Sequence, residues 1–324
     1  MILFSLRMFI ATLRHVKKGD VVLCVTTPFV LPYPVGLATK LRGAKAILLI
    51  YDLYPEALIM SGLARPRSMV ARIIRFANGL LFPALDAIVT IGRDVEPLLV
   101  AYRNVSRKCI KLIPNWVLLP IGYRPITDDN AHRRPLAGKF IVGLSGNLGF
   151  THSADTVYEA ARLLQDDDSI HFLLSGWGSG WNQLRELCAK QPLNNVTLIE
   201  RVSEEALEEF LAAANVWIIP YRQNVAGVSV PSRLYNLLAI GRPVIVTAEP
   251  FSEAALILTE ENIGWVAGPE DPAALANAIR SAASDPAESQ AKGQRAAHAA
   301  AKYTEAGAIA SYKQLVGEIA RAIQ

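Results

Sequence analysis

Cysteine is scarce: Cys24, Cys109 and Cys188 are the only three in 324 residues. Far apart and odd in number, they offer neither a disulfide framework nor a metal-ligand spacing, which fits a reducing cytosol. Long apolar runs are missing too. No stretch of about 18 residues is free of charge or proline, so no membrane-spanning helix is expected. The apolar segment 46–63 is broken by Asp52, Pro55 and Glu56 and reads as a buried strand with a loop. Residues 1–16 lack the order of a secretory signal, because Lys17 and Lys18 follow the apolar part and no small-residue cleavage site is present. His, Cys and Asp clusters with metal spacing are absent. The run Asp166-Asp167-Asp168 has the Asp-x-Asp form, yet it ends a helical pattern and precedes a strand pattern, which suits a solvated charge run. Without aromatic–basic interleaving, nucleic acid is not an expected partner.

The chain does have ample apolar material: 52% hydrophobic residues, enough length for two domains with separate cores, and a mean hydropathy of +0.26. Charge is unevenly spread. Residues 1–130 hold 17 Lys and Arg against 8 Asp and Glu, whereas the remainder holds 16 against 21. A basic first half points to anionic lipid headgroups or a phosphate-bearing acceptor.

Strand-like runs alternate with helical patterns, which argues for parallel sheets wrapped by helices. The runs lie at 21–25, 46–50, 87–90 and 110–113, then at 140–144, 171–175, 196–199, 216–220, 244–247 and 265–267. The aperiodic, proline-containing stretch 121–138 is placed as a linker. This gives a first domain over 1–120, a second over 139–304, and a terminal helix over 305–324 within an Ala-rich helical region that breaks near 303–307. Leu6, Phe9, Ile10, Leu13 and Val16 share one helical face, flanked by Arg7, Arg14, Lys17 and Lys18. A second amphipathic segment carries Met69, Val70, Ile73, Ile74 and Ala77 beside Arg65, Arg67, Arg72 and Arg75. Each fits a surface helix whose apolar face joins the sheet. Each also fits a contact with the membrane surface, with the basic sides toward the lipid.

The most informative block is 227–246, read as loop, helix, a tight Gly241-Arg242-Pro243 turn and a buried strand. Pro231 at the first helical position has a suitable φ, and Ser232 places a hydroxyl beside unpaired helix N–H groups. Arg233 at that helix start completes a receptor for an anion. An ordinary proline-started helix would look the same. Gly143-Leu144-Ser145-Gly146-Asn147-Leu148-Gly149-Phe150 follows a strand and leads into a helix, where small residues let amides approach a diphosphate. Ser175-Gly176-Trp177-Gly178 follows the next strand and is not a dinucleotide fingerprint. A plain structural turn is the alternative for both.

These segments resemble glycosyltransferase family 4, in its branch of capsule, colanic-acid and O-antigen transferases. That branch carries a Val-Pro-Ser-Lys-Leu-Tyr-Glu loop-helix, a Gly-Arg/Lys-Pro-Val turn and a Ser-Gly-Asn-Leu-Gly loop. Tyr51-Asp52-Leu53-Tyr54-Pro55-Glu56 resembles its Arg-Asp-Leu-Trp-Pro-Glu segment, and Ile113-Pro114-Asn115 its hinge entry. The resemblance implies a GT-B fold: two Rossmann-like doubly wound parallel-sheet domains facing a cleft, with the terminal helix crossing back to the first. It implies a donor site of Gly146, Asn147, Gly149, Phe150, His152, Gly176, Gly178, Arg201, Val202, Arg222, Pro231, Ser232, Arg233, Leu234 and Asn236, with Arg233 also serving catalysis. Asp52 and Glu56 would orient an acceptor hydroxyl or touch the transferred sugar; alternatively Asp52 caps a turn and Glu56 is solvated. Two departures stand out. His152 takes the place near a basic residue of many relatives and would donate well only if protonated. Asn236 stands where the family has a ribose-binding Glu, and Val228 where it has a second.

The implied activity is retaining, metal-independent transfer of a hexosyl or N-acetylhexosaminyl group from a UDP- or GDP-linked sugar, with no further cofactor. The acceptor would be a lipid-linked sugar or polysaccharide in cell-surface glycan synthesis, reached from the inner face of the cytoplasmic membrane. The family's opening strand and Gly-rich loop have no counterpart ahead of Asp20, so an N-terminally short first domain is expected. A non-catalytic nucleotide-sugar-binding remnant or partner subunit, and a nucleotide-sugar epimerase, are the other readings.

Overall fold

The computed structural model describes residues 2–321; the outermost residues of the two terminal expectations, Met1 and 322–324, lie outside the described residues. The chain divides into two compact units. The first takes the chain up to Asn115, the segment Ala226–Val230, and the chain from Ala306 onward; the second takes Trp116–Val225 and Pro231–Glu305.

In the first unit β1 (Val21–Val25), β2 (Lys45–Ile50), β3 (Ala87–Thr90) and β4 (Ile110–Leu112) form a parallel sheet in sequential order. Ile47, Leu48, Ile88 and Val89 are essentially inaccessible, because helices cover a sheet whose strands are apolar on both faces. These helices are α1 (Ile2–His15), α2 (Pro32–Leu41), α3 (Glu56–Met60), α4 (Met69–Leu81) and α5 (Glu96–Val100). The Ser68 hydroxyl accepts from the Ala71 N–H at 3.3 Å and so caps the start of α4. Ala71, Ile74 and Asn78 face inward. Buried Asn78 is well satisfied: it accepts from the Tyr33 hydroxyl (2.8 Å) and donates to the Tyr54 carbonyl (2.7 Å) and the Tyr102 hydroxyl (3.1 Å). The outer face differs from the expected basic one. Met69, Val70, Ile73, Phe76 and Leu80 are all exposed there, so α4 is apolar on two sides.

The second unit holds β5 (Phe140–Asn147), β6 (Ile170–Trp177), β7 (Val196–Ile199), β8 (Val216–Pro220), β9 (Val244–Thr247) and β10 (Gly264–Ala267), all parallel in the order β10-β9-β8-β5-β6-β7. Its helices are α6 (Ala154–Leu163), α7 (Ser179–Lys190), α8 (Leu207–Ala213), α9 (Arg233–Ala239), α10 (Glu253–Glu260), α11 (Pro272–Ser284) and α12 (Pro286–Ala300). The chain runs outward from β5 through β6 and β7, then returns to lay β8, β9 and β10 on the other side. That reversal between β5 and β8 leaves a crevice outside their carboxyl ends. Val142, Leu144, Phe172 and Ile218 pack with Val157 and Ala161 of α6 and with Leu275 and Ile279 of α11. The last helix, α13 (Glu305–Arg321), follows a break after α12 and belongs with the first unit.

Two sequence expectations need correction. β5 and β6 run three and two residues past the expected ends, because pairing continues through Ser145↔Ser175 and Gly146↔Gly176 to Asn147↔Trp177. The presumed linker 121–138 is packed on the second unit instead. The Gly122 and Arg124 amides donate to the carbonyls of Ala239 (2.8 Å) and Ile240 (3.2 Å). Arg133, only 6% exposed, donates to Asn215 Oδ1 (2.8 Å) and the carbonyls of Ala213 and Lys139.

Candidate functional site

The loop leaving β5 and the loop leaving β8 meet at the crevice of the second unit. The Ser153 amide donates to the Pro220 carbonyl (2.8 Å), and the Arg222 amide donates to the Thr151 carbonyl (3.0 Å). A short bridge also joins His152 to Tyr221, whose rings lie 5.1 Å apart. These bonds fix His152 inside the crevice. The Thr151 hydroxyl lies 2.9 Å from His152 Nδ1, while Nε2 is buried without a partner.

Arg233, the first residue of α9, reaches across from the other wall. One guanidinium nitrogen, Nη2, donates to the Asn147 carbonyl, and the head lies over Gly146. A side chain at Gly146, where φ is +99°, would start 3.6 Å from the guanidinium carbon; glycine leaves that backbone open. Nη1 is buried with no hydrogen-bond partner. Burial lowers the Arg233 guanidinium to about 10, opposed by the Tyr221 phenol, so it still carries its charge. Burial, reinforced by the Arg233 charge, holds His152 well below 6.5 and therefore neutral. The site thus offers an unanswered cation and, when Thr151 donates to Nδ1, an unanswered Nε2–H donor. Both invite an anionic ligand that accepts hydrogen bonds.

The other candidate residues separate into groups. Gly176 and Gly178 press the β6 loop against the β5 loop: a Cβ on Gly176 would lie 2.6 Å from the Gly146 carbonyl oxygen, and Gly178 has φ +100°. Arg201 stacks over the exposed Trp177 ring at 4.2 Å, with Val202 half-buried beside it. Phe150 and Gly149 stand at the outer lip, Phe150 exposed. The Arg222 side chain pairs with Glu270, its Nε 3.3 Å from Glu270 Oε1. Leu234 is fully buried and Pro231 largely so, which makes both framework. The Ser232 hydroxyl does not cap α9 as expected: Ser232 has helical φ and ψ, and the Leu234 and Tyr235 amides donate to the Pro231 and Ser232 carbonyls. Asn236 turns its Oδ1 to the Leu118 amide at 2.8 Å.

Asp52 and Glu56 lie in the first unit, just past the carboxyl end of β2. Asp52 pairs with Ser229 in a short antiparallel bridge. Burial raises its carboxyl above the ordinary range, and a hydrogen bond from Ser229 opposes that rise. Glu56 is not simply solvated. Its Oε1 is 3.2 Å from Arg75 Nη2, while Oε2 is buried without a partner. Arg75 also donates to the Pro66 carbonyl (2.8 Å), so it serves this carboxylate and not the outer surface. Among the described residues, no group of three or more His, Cys, Asp or Glu could hold a metal ion. The Asp167 carboxylate of the acidic run accepts from the Ser169 amide (3.0 Å) beside β6.

The sequence profile described as "Glycosyl transferases group 1" matches residues 127–300, more than half of the chain and nearly all of the second unit. The chain belongs to the group 1 glycosyl transferases. It is 27% identical over 266 residues to WbjE of Pseudomonas aeruginosa, named as a glycosyltransferase, covering 81% of this chain and 66% of that protein. It is 28% identical over 277 residues to WcaI of Escherichia coli (strain K12), whose name assigns it to colanic acid biosynthesis; the match covers 83% of this chain and 67% of that one. The chain thus spans about two thirds of the length of these relatives. Anabaena HepE, solved with UDP, superposes with a TM-score of 0.74 at 14% identity, over 98% of this chain and 82% of that one. That likeness establishes the GT-B architecture of two parallel-sheet α/β domains.

Two further framework residues escaped the sequence reading. Arg242 of the Gly-Arg-Pro turn is 1% exposed and donates to the Arg124 and Ala212 carbonyls, both at 2.6 Å. His171 is buried, with Nε2 2.8 Å from the Thr197 hydroxyl, and burial lowers it to about 4. Folding therefore keeps His152 and His171 neutral while the unfolded chain protonates near 6.5. Stability conferred above pH 6.5 is lost as pH falls toward the folded values. Between pH 7.5 and 5 the second unit should therefore lose stability, through both His171 and His152. Thermal melts should show His171→Gln reducing that loss; an equal loss in the variant would assign it elsewhere.

Proposed function

We propose that this chain is a retaining glycosyltransferase of polysaccharide biosynthesis, taking its sugar from a UDP- or GDP-linked donor. The observation that carries the proposal is the pair of buried, unanswered donors, Arg233 Nη1 and His152 Nε2, at the strand-order reversal of the second unit. A diphosphate there receives the Arg233 charge and the His152 hydrogen bond. Developing negative charge on the leaving diphosphate is met by groups already in place, so little reorganisation opposes bond breaking. No metal ion is needed in this scheme. The Arg201–Trp177 stack supplies a flat surface for the nucleobase. The Asn236 carboxamide, its oxygen engaged by Leu118, keeps its amide to donate to a ribose oxygen. In the first unit, Asp52 and Glu56 bind the acceptor, a lipid-linked sugar whose hydroxyl Asp52 orients.

A thermal-shift panel of UDP, GDP, TDP and ADP tests the donor half: one nucleotide should raise the melting temperature well above the others. Release of that nucleotide from its sugar conjugate in the presence of acceptor tests transfer. Binding without release above background hydrolysis would identify a non-catalytic nucleotide-sugar-binding protein.

The acceptor reading includes peripheral attachment to the inner face of the cytoplasmic membrane. Among the described residues no helix is long and apolar enough to cross a membrane. What supports attachment is the outer stripe of α4, with Ile73, Phe76 and Leu80 61–70% exposed and Arg65, Arg67 and Arg72 alongside. Phe76→Glu with Ile73→Glu should reduce co-sedimentation with phosphatidylglycerol vesicles at least tenfold. Arg65, Arg67 and Arg72 changed together to Ala should make the remaining binding insensitive to salt. Unchanged sedimentation in both would refute attachment through this face.

A further inference from the structure

The first unit contains a cavity whose lining includes neither Asp52 nor Glu56. Between α2 and α4, at the amino-terminal ends of the strands, lies a groove of about 590 Å³, within the range of small-molecule sites. Its walls are mainly carbon: Leu37, Ala77, Leu80, Leu81, Leu85 and the body of Tyr33. Gly36 keeps α2 close to α4, since a Cβ there would lie 2.7 Å from Leu81 Cδ1. Leu37 and Leu80 line the groove and are also more than half exposed, so its mouth continues into the outer stripe of α4.

The rim is basic. Lys40 and Lys45 line it, and the Lys18 stem packs by Gly43, with Lys18 Cγ 3.5 Å from where a Cβ on that glycine would sit. Arg42 donates to the Val16 carbonyl at 2.8 Å, which holds its charge at the same corner without neutralising it. The acidic member, Asp86, has both oxygens engaged, one by Lys45 Nζ (2.8 Å) and one by the Ala46 amide (2.9 Å). An apolar trough ending in cations matches a hydrocarbon chain with an anionic head. If a methylene needs about the 30 Å³ of a liquid water, the groove holds roughly 15–20 of them.

We propose that this groove takes one acyl chain of an anionic membrane phospholipid, with its phosphate at Lys40 and its neighbours. The occupant is a lipid of the bilayer and not the acceptor. The β2 strand and the residues after it put roughly 20 Å of extended chain, at about 3.3 Å per residue, between the groove and Asp52. A head group at Lys40 therefore cannot present a hydroxyl to Asp52. The inference rests on the membrane-surface reading for the source of the lipid, and the test separates the two.

Native mass spectrometry of the full chain with lysophosphatidylglycerol, below its micelle concentration, should show a saturating one-to-one complex. Ala77→Trp with Ala84→Phe fills the groove and should lower occupancy at least tenfold, with an unchanged far-ultraviolet spectrum and nearly unchanged vesicle sedimentation. Lys40→Glu, at an exposed position, should lower occupancy at least threefold without disturbing the fold. Phe76→Glu should do the reverse: weaker sedimentation with the complex intact. Wild-type occupancy in both the filled and the Lys40→Glu variants, or unsaturable binding of many lipids, would overturn the groove proposal while leaving attachment standing. A groove-dependent complex without vesicle binding would keep the groove and remove attachment.

Discussion

Arg233→Ala should weaken binding of the preferred nucleoside diphosphate about 100-fold, or about 3 kcal/mol, because a buried charge-assisted contact to phosphate is lost. The ligand-free protein should tell the opposite story. Arg233 Nη1 has no acceptor, so removing the guanidinium also removes a desolvation cost. The Nη2 bond to the carbonyl of exposed Asn147 is lost as well, but water replaces it there, so the free protein should melt no lower than wild type, while the nucleotide-induced rise disappears. Arg233→Lys should recover part of the affinity, since a point charge replaces a fork. A change of less than threefold in Kd for Arg233→Ala would remove the basis of the proposed donor site.

Arg242→Met should behave in the contrary way. This second buried guanidinium is also lowered to about 10 by burial, but Nη1 and Nη2 each reach a carbonyl at 2.6 Å. Losing both bonds strands the Arg124 and Ala212 oxygens and should cost about 2–3 kcal/mol. At about 2–4 °C per kcal/mol for a unit of this size, the melting temperature should fall roughly 5–10 °C. Nucleotide affinity per folded molecule should be preserved. A calorimetric scan with and without nucleotide separates the two arginines; a stable Arg242→Met protein that no longer binds would mean their roles are exchanged.

The contrast between these residues shows where sequence reasoning ran out. Strands announced themselves, since 87–90 and 244–247 are short runs rich in β-branched residues, entered from Asp86 and Pro243. Arg233 was legible as part of an anion receptor because it stands at a helix start next to Pro231 and Ser232. Arg242 looked like one more residue in a turn, because its acceptors are 118 and 30 positions away. The same blindness to distant partners made 121–138 a linker, although Arg124 and Arg133 bind the second unit. It also left Arg75 on the surface, when Glu56 had already engaged it. The outer face of α4 was obscured for another reason. Periodicity averages apolar residues around a helix, and here both faces are apolar.

The short passage Ala226–Val230 has a practical corollary for anyone who would exchange parts between relatives. The polypeptide switches affiliation at 115/116, 225/226, 230/231 and 305/306. A fragment stopping at Asn115 would lack Ser229, the neighbour of Asp52, and the Gly227 amide that donates to Asp94 at 2.9 Å. Transplanting 116–305 wholesale would therefore also import five foreign residues beside Asp52. A chimera that respects the affiliation must be stitched at all four junctions.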